Sequence, residues 1–201
     1  MEPFSLRLDS FSTTYDYKNP ANYGKPMDFI AKVSSKETPT SPLVKAQIRV
    51  NEPLHLPGAK VYITGNGFAP VIVVRDKDGT VSYSGPVVFL PQDSNLTSLG
   101  AIKVPDAIPQ VGFLGTFLPT YVRDGANGGQ SAFPKALNPR LLLSVWSGDL
   151  GLDSGIPQSV YRLDTSEMAQ IGLKGLKPGE SYSYEGGSIT FEGYVQWVNL
   201  N

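Results

Sequence analysis

Apolar and polar residues alternate along several short stretches of the chain. In the stretch LVKAQIRV, residues 43–50, Lys45, Gln47 and Arg49 alternate with apolar residues that run from Val44 to Val50. A period of two predicts a strand with one buried face. The same alternation in residues 4–11 predicts another strand, with residues 27–33 as its partner.

Short runs rich in Val, Ile, Tyr and Phe continue to the end of the chain, and 21 Gly and 17 Pro residues separate them. Short apolar runs separated by Gly and Pro are typical of an all-β chain. Residues 69–83 predict a hairpin that turns at Asp78 and Gly79. Further strands are predicted over residues 60–64, 85–90, 141–146, 159–163, 180–184 and 187–200. The fold class predicted is a β-sandwich-like domain of antiparallel strands.

Two segments depart from the strand pattern. Asp164 is followed three residues later by Glu167, a capping-box spacing that predicts one short helix over residues 164–171. Residues 91–140 contain six prolines and predict a long irregular excursion, a kind of segment that often carries function. The sequence shows no internal repeat. A second domain could start near residue 141, but the strands there read as a return to the same sandwich, so we expect a single domain over residues 1–201.

The amino-acid composition excludes several kinds of functional site. With 17 Lys and Arg against 18 Asp and Glu and no Lys/Arg cluster in the sequence, nothing points to nucleic acid or to an acidic membrane surface as a partner. The absence of cysteine excludes disulfides, thiolate metal sites and cysteine nucleophiles. No run reaches the roughly 20 apolar residues of a membrane span, and no signal peptide is evident. For a role outside the cytoplasm, targeting segments would have to lie outside this stretch.

Two carboxylates, Asp149 and Asp153, lie four residues apart in the glycine-rich stretch GDLGLDSG. They could supply oxygen ligands to calcium, but an EF-hand loop needs Asp or Asn at its third position and Glu at its twelfth, where this chain has Gly151 and Val160. The favoured interpretation is a connection between strands in which the Asp side chains cap turns.

His55 is the only histidine, which argues against a zinc site. The nucleophile elbow G-x-S-x-G is absent, so a serine triad around His55 is not indicated, and we predict no catalytic residues. Several aromatic residues could line a carbohydrate site, although aromatics at strand spacing more often belong to a core. These are Tyr121, Trp146, Tyr161, Tyr194 and Trp197.

Five longer stretches follow one another along the chain, namely AQIRVNEPLHLPGAKVYITGNGFAPVIVVRDKDG, VVFLPQD, GFLGTFLPT, ALNPRLLLSVWSGDLGLDSGIPQSVYRLD and LKPGESYSYEGGSITFEGYVQWVNL. In the content and order of these stretches, the chain resembles the ResB, or CcsB, family of cytochrome c biogenesis proteins over nearly its whole length. The positions that carry the resemblance are Asn51, Pro53, Leu54, Tyr62, Gly67, Gly148 and Asp149. By this resemblance, the segment around Asp149 is a family landmark and not a catalytic loop.

The resemblance implies a non-catalytic role in system II cytochrome c maturation. Proteins similar to this chain are multi-span membrane proteins that work with a ResC or CcsA partner to attach haem to apocytochrome c. The chain would be their extracytoplasmic domain, at the outer face of the bacterial cytoplasmic membrane, acting as an assembly domain that docks apocytochrome c or the ResC/CcsA-type partner. Haem would be handled by the full complex, and no cofactor is expected on this domain. If membrane spans flank it, Phe4 and Leu200 should lie near each other on one membrane-facing side.

The partner contacts expected first lie in the 91–140 segment, at Phe113, Leu114, Phe117 and Tyr121. One alternative is a direct haem chaperone, with His55, Met27, Met168 or a tyrosine as iron ligand. Many relatives have His directly after the motif asparagine, where this chain has Glu52, so the resemblance does not carry a ligand role to His55. A second alternative is a carbohydrate- or ligand-binding β-sandwich module.

Overall fold

The computed structural model of the chain describes residues 4–124, 128–155 and 157–201. Its contacts divide the chain into two compact units. Unit 1 combines Met1–Asn66 with Gln196–Asn201, and unit 2 is Gly67–Val195. This division describes contacts and does not decide the number of domains, so the single domain expected over residues 1–201 stays a prediction.

Unit 1 is built on a three-stranded antiparallel sheet in the order β1-β2-β3, formed by Ser5–Tyr15, Pro26–Lys36 and Val44–Arg49. A short 3-10 helix, Pro20–Asn22, lies between β1 and β2. After β3, strands β4 (Leu54–Leu56) and β5 (Ala59–Val61) form a hairpin. The strands predicted over residues 4–11, 27–33 and 43–50 are confirmed, and β1 pairs with β2 as expected.

The core of unit 1 lies on one face of this sheet, where alternate residues such as Ala31, Val33 and Ile48 are fully buried. Phe4 and Leu200 both pack against this core. That they lie near each other on one membrane-facing side stays a prediction. Tyr62 and Asn201 exchange two backbone hydrogen bonds, from Tyr62 N–H at 2.8 Å and from Asn201 N–H at 3.0 Å.

The remaining strands run on from β5. They are β6 (Ile63–Asp76), β7 (Val81–Pro86), β8 (Leu90–Pro91), β9 (Ser98–Val104), β10 (Val111–Leu118), β11 (Tyr121–Val122), β12 (Gln130–Ser131), β13 (Arg140–Gly148), β14 (Met168–Leu176), β15 (Glu180–Tyr184) and β16 (Gly187–Leu200). The predicted hairpin is formed by β6 and β7, and Gly79 in its turn has the positive φ of 86° that glycine adopts without steric cost.

Two antiparallel sheets make unit 2 a sandwich. One has five strands in the order β14-β13-β10-β9-β8, and the other has four in the order β15-β16-β6-β7. Their inner faces share one core, in which Phe68 of β6, Phe117 of β10 and Phe191 of β16 are buried. The all-β, antiparallel, sandwich-like fold class is therefore confirmed.

Phe89 occupies a special position in this core. Gly100 of β9 and Gly115 of β10 lie directly opposite each other, and the buried Phe89 ring covers both. A Cβ on Gly115 would lie 2.5 Å from Phe89 Cζ, and one on Gly100 would overlap the ring. The glycine pair therefore leaves room on the sheet for an aromatic side chain.

The helix predicted over residues 164–171 is wrong. Asp164 Oδ1 accepts a hydrogen bond from Ser166 N–H at 3.0 Å, and Met168 N–H donates to the Thr165 carbonyl at 3.2 Å, so the capping residues close a single turn. The chain then continues as β14 and pairs with β13. Pairing with a neighbouring strand has overridden the local helix signal.

The irregular excursion predicted over residues 91–140 is largely wrong, because β9 and β10 are central strands of the five-stranded sheet. Pro105 lies just after β9, Pro119 just after β10 and Pro139 just before β13, whereas Pro91 ends the short edge strand β8. Proline is tolerated there because it interrupts no ladder hydrogen bond. Residues 125–127 of this segment lie outside the described residues.

Candidate functional site

The outer face of the five-stranded sheet, opposite the core, carries an open apolar groove of about 480 Å³. Four strands each contribute one leucine to it, namely Leu99 of β9, Leu114 of β10, Leu142 of β13 and Leu173 of β14. We call this surface the leucine groove. Because side chains alternate along a strand, these leucines share a face with one another and not with the core.

The strand register places the four leucines in two neighbouring rows. Thr116 lies opposite both Leu99 and Leu142 in one row, and Ser144 lies between Leu114 and Leu173 in the next. Leu99 is 46% exposed and Leu173 is 73% exposed. Across these two rows the apolar area is continuous, with the small hydroxyl side chains of Thr116 and Ser144 between the leucines.

One side of the groove is formed by the segment that follows β13, here called the strap (residues 149–155 and 157–167). Tyr161 and Arg162 of the strap line the groove. Leu163 is buried against Gly112, where a Cβ would lie 2.7 Å from both Leu163 methyl groups. The strand predicted over residues 159–163 is wrong, because this part of the strap passes over the sheet without pairing with it.

Polar contacts fasten the strap to the sheet. Gln110 Oε1 accepts a hydrogen bond from Leu150 N–H at 2.9 Å. Lys103 Nζ donates to Gln158 Oε1 at 3.1 Å and to the Ser159 carbonyl at 3.2 Å. These bonds hold the strap beside the groove and not across it.

The carboxylates that the sequence singled out belong to the strap. Asp149 Oδ1 accepts a hydrogen bond from Gly151 N–H at 2.7 Å, which agrees with the interpretation of a turn cap. The hydrogen bond from Ser166 holds the pKa of the Asp164 carboxyl below its ordinary value. Across residues 4–124, 128–155 and 157–201, no three His, Asp or Glu side chains converge on a position for a metal ion.

The family positions have structural roles. Asn51 lies in the turn between Arg49 and Glu52, which exchange two backbone hydrogen bonds of 3.1 Å. Its φ of 63° is in the left-handed region, which asparagine tolerates better than most residues. Gly148 has a φ of 148°, and a Cβ there would lie 2.8 Å from the Glu167 carbonyl oxygen. Of the others, Pro53 and Leu54 lead into β4, Tyr62 precedes β6, and Gly67 is buried within β6.

The predicted partner contacts separate into two groups. Phe113 and Phe117 are fully buried in the core, so the expectation that they anchor a partner at the surface is corrected. Leu114 lies between them in sequence, points to the other face and lines the leucine groove. Arg140 lies over the Tyr121 ring, with its Cζ 5.1 Å from the ring centroid. The Tyr121 hydroxyl donates a hydrogen bond to the Gly128 carbonyl at 3.0 Å.

The candidate haem ligands are not gathered into one pocket. His55 is exposed on β4, opposite Lys60 of β5, in a shallow hollow completed by small and aliphatic residues. Met27 is 71% exposed on β2, and Met168 belongs to the other unit. In the described residues, the hollow beside His55 therefore presents no second iron ligand from this set.

The candidate carbohydrate aromatics are also dispersed. Tyr161 is the one member of that set that lines the leucine groove. Tyr194 packs its ring against Phe68 and Phe117, at centroid distances of 5.4 and 5.7 Å. Trp146 packs against the small apolar cluster formed by Ala101, Leu150 and Leu163. They do not form a common stacking platform.

Fold and surface together define an all-β protein whose larger unit is an antiparallel sandwich with an open apolar groove on one outer face. The model of the ResB-like family matches residues 1–201, so the chain belongs to that family, whose members are membrane-associated proteins of cytochrome c biogenesis. No curated protein and no solved structure is significantly similar to the chain. None of the helices in the described part of the chain has the length and hydrophobicity of a transmembrane segment.

Proposed function

We propose that this chain is an extracytoplasmic docking domain of the system II cytochrome c maturation complex, and that its leucine groove receives apocytochrome c. The observation that carries this proposal is the groove itself, an open area of leucines on the outer face of a sheet in a ResB-like chain. Isolated exposed leucines are ordinary, whereas a contiguous apolar surface marks a binding site.

An extended polypeptide fits the groove. The strand β14 forms one edge of the five-stranded sheet and carries Leu173, so a peptide beside it would meet both unpaired backbone groups and an apolar side chain. Apocytochrome c before haem attachment is a polypeptide without its cofactor core, and its apolar residues are then available to such a surface.

The groove supports transient binding. Complete burial of a leucine contributes about 1.5–3 kcal/mol, and the four leucines are already partly covered, so roughly 4–6 kcal/mol is available in total. Taken alone, this energy corresponds to dissociation constants from about 1 mM down to about 40 μM. The cost of ordering the peptide weakens binding further, so the groove by itself gives a dissociation constant of about 1 mM or above. Weak binding suits a domain that must release its partner after haem attachment.

In this proposal the domain is not itself an enzyme and binds no cofactor. The chemistry of haem attachment belongs to the rest of the complex, with the ResC/CcsA-type partner. The dispersed positions of His55, Met27 and Met168 support this division of labour.

The test is a binding titration of fluorescently labelled apocytochrome c with Leu142→Asp and Leu173→Asp variants. Leu137→Asp is the matched control, because Leu137 is 57% exposed in the same unit but does not line the groove. Circular dichroism first verifies that each variant is folded. We expect the groove variants to weaken binding at least tenfold and the control to leave it unchanged.

Equal binding by wild type and both groove variants would refute the role of the groove. If apocytochrome c fails to bind but a ResC/CcsA-type partner binds and is sensitive to the same substitutions, the groove is a subunit interface and the apocytochrome proposal is wrong.

A further inference from the structure

The two units carry opposite charge. Unit 1 contains eight Lys and Arg against six Asp and Glu, whereas unit 2 contains nine against twelve. The net charge of −1 for the whole chain therefore conceals a basic unit and an acidic one.

Much of the basic charge in unit 1 lies on one side of its sheet. Arg7, Ser34 and Lys45 are directly paired across β1, β2 and β3, and Lys32 is paired with Gln47 in the next row. The core of unit 1 contains the odd-numbered β2 residues Ala31 and Val33. Lys32 and Ser34 alternate with them, so this side of the sheet faces away from the core. We call it the basic sheet face. Its cations are Arg7, Lys32, Lys36, Lys45 and Arg49.

Only part of this charge is neutralised within the protein. Arg7 Nε pairs with Asp9 at 2.9 Å, and Arg49 Nη1 pairs with Asp28 at 2.9 Å. Asp9 also accepts a hydrogen bond from Ser34. Both carboxylates are thus occupied by an arginine. The three lysines of the face form no salt bridge within the described ranges.

These uncompensated lysines act together. Lys45 is opposite Ser34, so Lys32 and Lys36 are its diagonal neighbours on β2, about 7–8 Å away at Cβ, which is comparable to the Debye length of roughly 8 Å at physiological salt. Their fields therefore add, and an anionic surface would relieve the repulsion between them. A face formed by three strands presents this charge to a broad surface more readily than to a single small ion.

An exposed aliphatic side chain adjoins the charge. Leu43 lies two residues before Lys45 and is 50% exposed, whereas Val44 alternates with Lys45 and is opposite Ser35 on the other side of the sheet. Basic residues beside an exposed aliphatic one are typical of surfaces that lie in the headgroup region of a bilayer. Nucleic-acid surfaces combine their cations with aromatic residues for stacking, so the leucine favours lipid.

We propose that the basic sheet face of unit 1 binds the anionic phospholipid headgroups of a membrane surface, with Leu43 reaching the acyl-chain boundary. The membrane association of the ResB-like family provides a surface of this chemistry. The proposal does not depend on the leucine groove, which lies in the other unit.

The test is cosedimentation of the chain with phosphatidylcholine vesicles prepared with and without phosphatidylglycerol. The variant Lys32→Gln/Lys45→Gln removes two cations of the face, and Lys77→Gln/Lys174→Gln removes two exposed lysines of unit 2 as the matched control. We expect binding only to phosphatidylglycerol vesicles, weakened by high salt. The partition coefficient should fall roughly tenfold or more in the first variant and stay unchanged in the control.

Leu43→Ser provides a second readout, with a smaller loss of vesicle binding and no change in its salt dependence. Equal loss in both lysine variants would overturn the proposal, because attraction would then depend on overall charge. Competition by millimolar inorganic phosphate would reassign the face to free phosphate. Tighter binding to a DNA duplex than to the vesicles would reassign it to nucleic acid. None of these outcomes alters the apocytochrome titration, so the two proposals fail separately.

Discussion

Replacing Gly115 with alanine places a methyl group where the Phe89 ring lies. The added Cβ would be 2.5 Å from Phe89 Cζ and 2.7 Å from Cε2, whereas carbon atoms in good contact are about 3.5–4.0 Å apart. Because Phe89 is fully buried, its ring can move aside only by displacing other core residues. We expect Gly115→Ala to lower the free energy of unfolding by about 1–3 kcal/mol.

A double-mutant cycle separates this clash from other effects. Phe89→Ala alone should cost about 3–5 kcal/mol, since it removes a buried aromatic ring. In that background the methyl group of Gly115→Ala enters vacated space. The second substitution should then be neutral, or stabilising by up to about 1 kcal/mol because alanine is less flexible than glycine in the unfolded chain. The expected coupling energy is roughly 1–4 kcal/mol.

The assay is urea denaturation followed by tryptophan fluorescence. The chain has two tryptophans, and Trp197→Phe leaves Trp146 of unit 2 as the reporter. If Phe89→Ala is too unstable to measure, Phe89→Leu completes the cycle with smaller values. Additive effects of the two substitutions would refute the reasoning, because they would mean that the Phe89 ring does not limit the space above Gly115.

Three further predictions concern single positions. The hydrogen bond from Ser34 lowers the pKa of Asp9 below its ordinary value of 3.8. The ionised Asp9 carboxylate therefore stabilises the fold at pH values above 3.8. This stabilisation is lost as the pH falls through the lower pKa that Asp9 has in the folded protein. In Ser34→Ala the midpoint of Asp9 in an NMR titration should rise towards 3.8, and an unchanged midpoint would contradict the assignment. Gly148→Ala should cost about 1–3 kcal/mol, seen as a lower melting temperature, because the new Cβ meets the Glu167 carbonyl at a φ of 148°. Haem titration in the Soret band should give weak, unsaturable binding that His55→Ala does not change; saturable micromolar binding lost in the variant would establish the haem-chaperone alternative.

The strands most readily predicted from sequence are those with one face in contact with water. Residues 4–11 and 43–50 alternate because one side of β1 and β3 packs on a core and the other carries charge. Strand β10 reads VGFLGTFL and shows no such alternation, because its outer face is apolar as well. Its neighbouring prolines then made it resemble a loop.

The groove could be predicted only in part. Leu114 was identified from the apolar segment that contains it, but the sequence does not distinguish its outward side chain from the inward ones of Phe113 and Phe117. Leu99, Leu142 and Leu173 come from three other strands, and only the strand register shows that they are neighbours. The helix error has the same origin, since the pairing of β14 with β13 depends on residues distant in sequence.

The two separate segments that make up unit 1 bear on the order of folding during synthesis. Residues 196–201 belong to this unit although they emerge after all of unit 2, and Leu200 and Asn201 make contacts with its core and with Tyr62. Unit 2 is contiguous and has its complete sequence earlier. A chain delivered from its amino end would therefore hold residues 4–66 incomplete while unit 2 folds, and the two backbone hydrogen bonds of Tyr62 would be among the last to form.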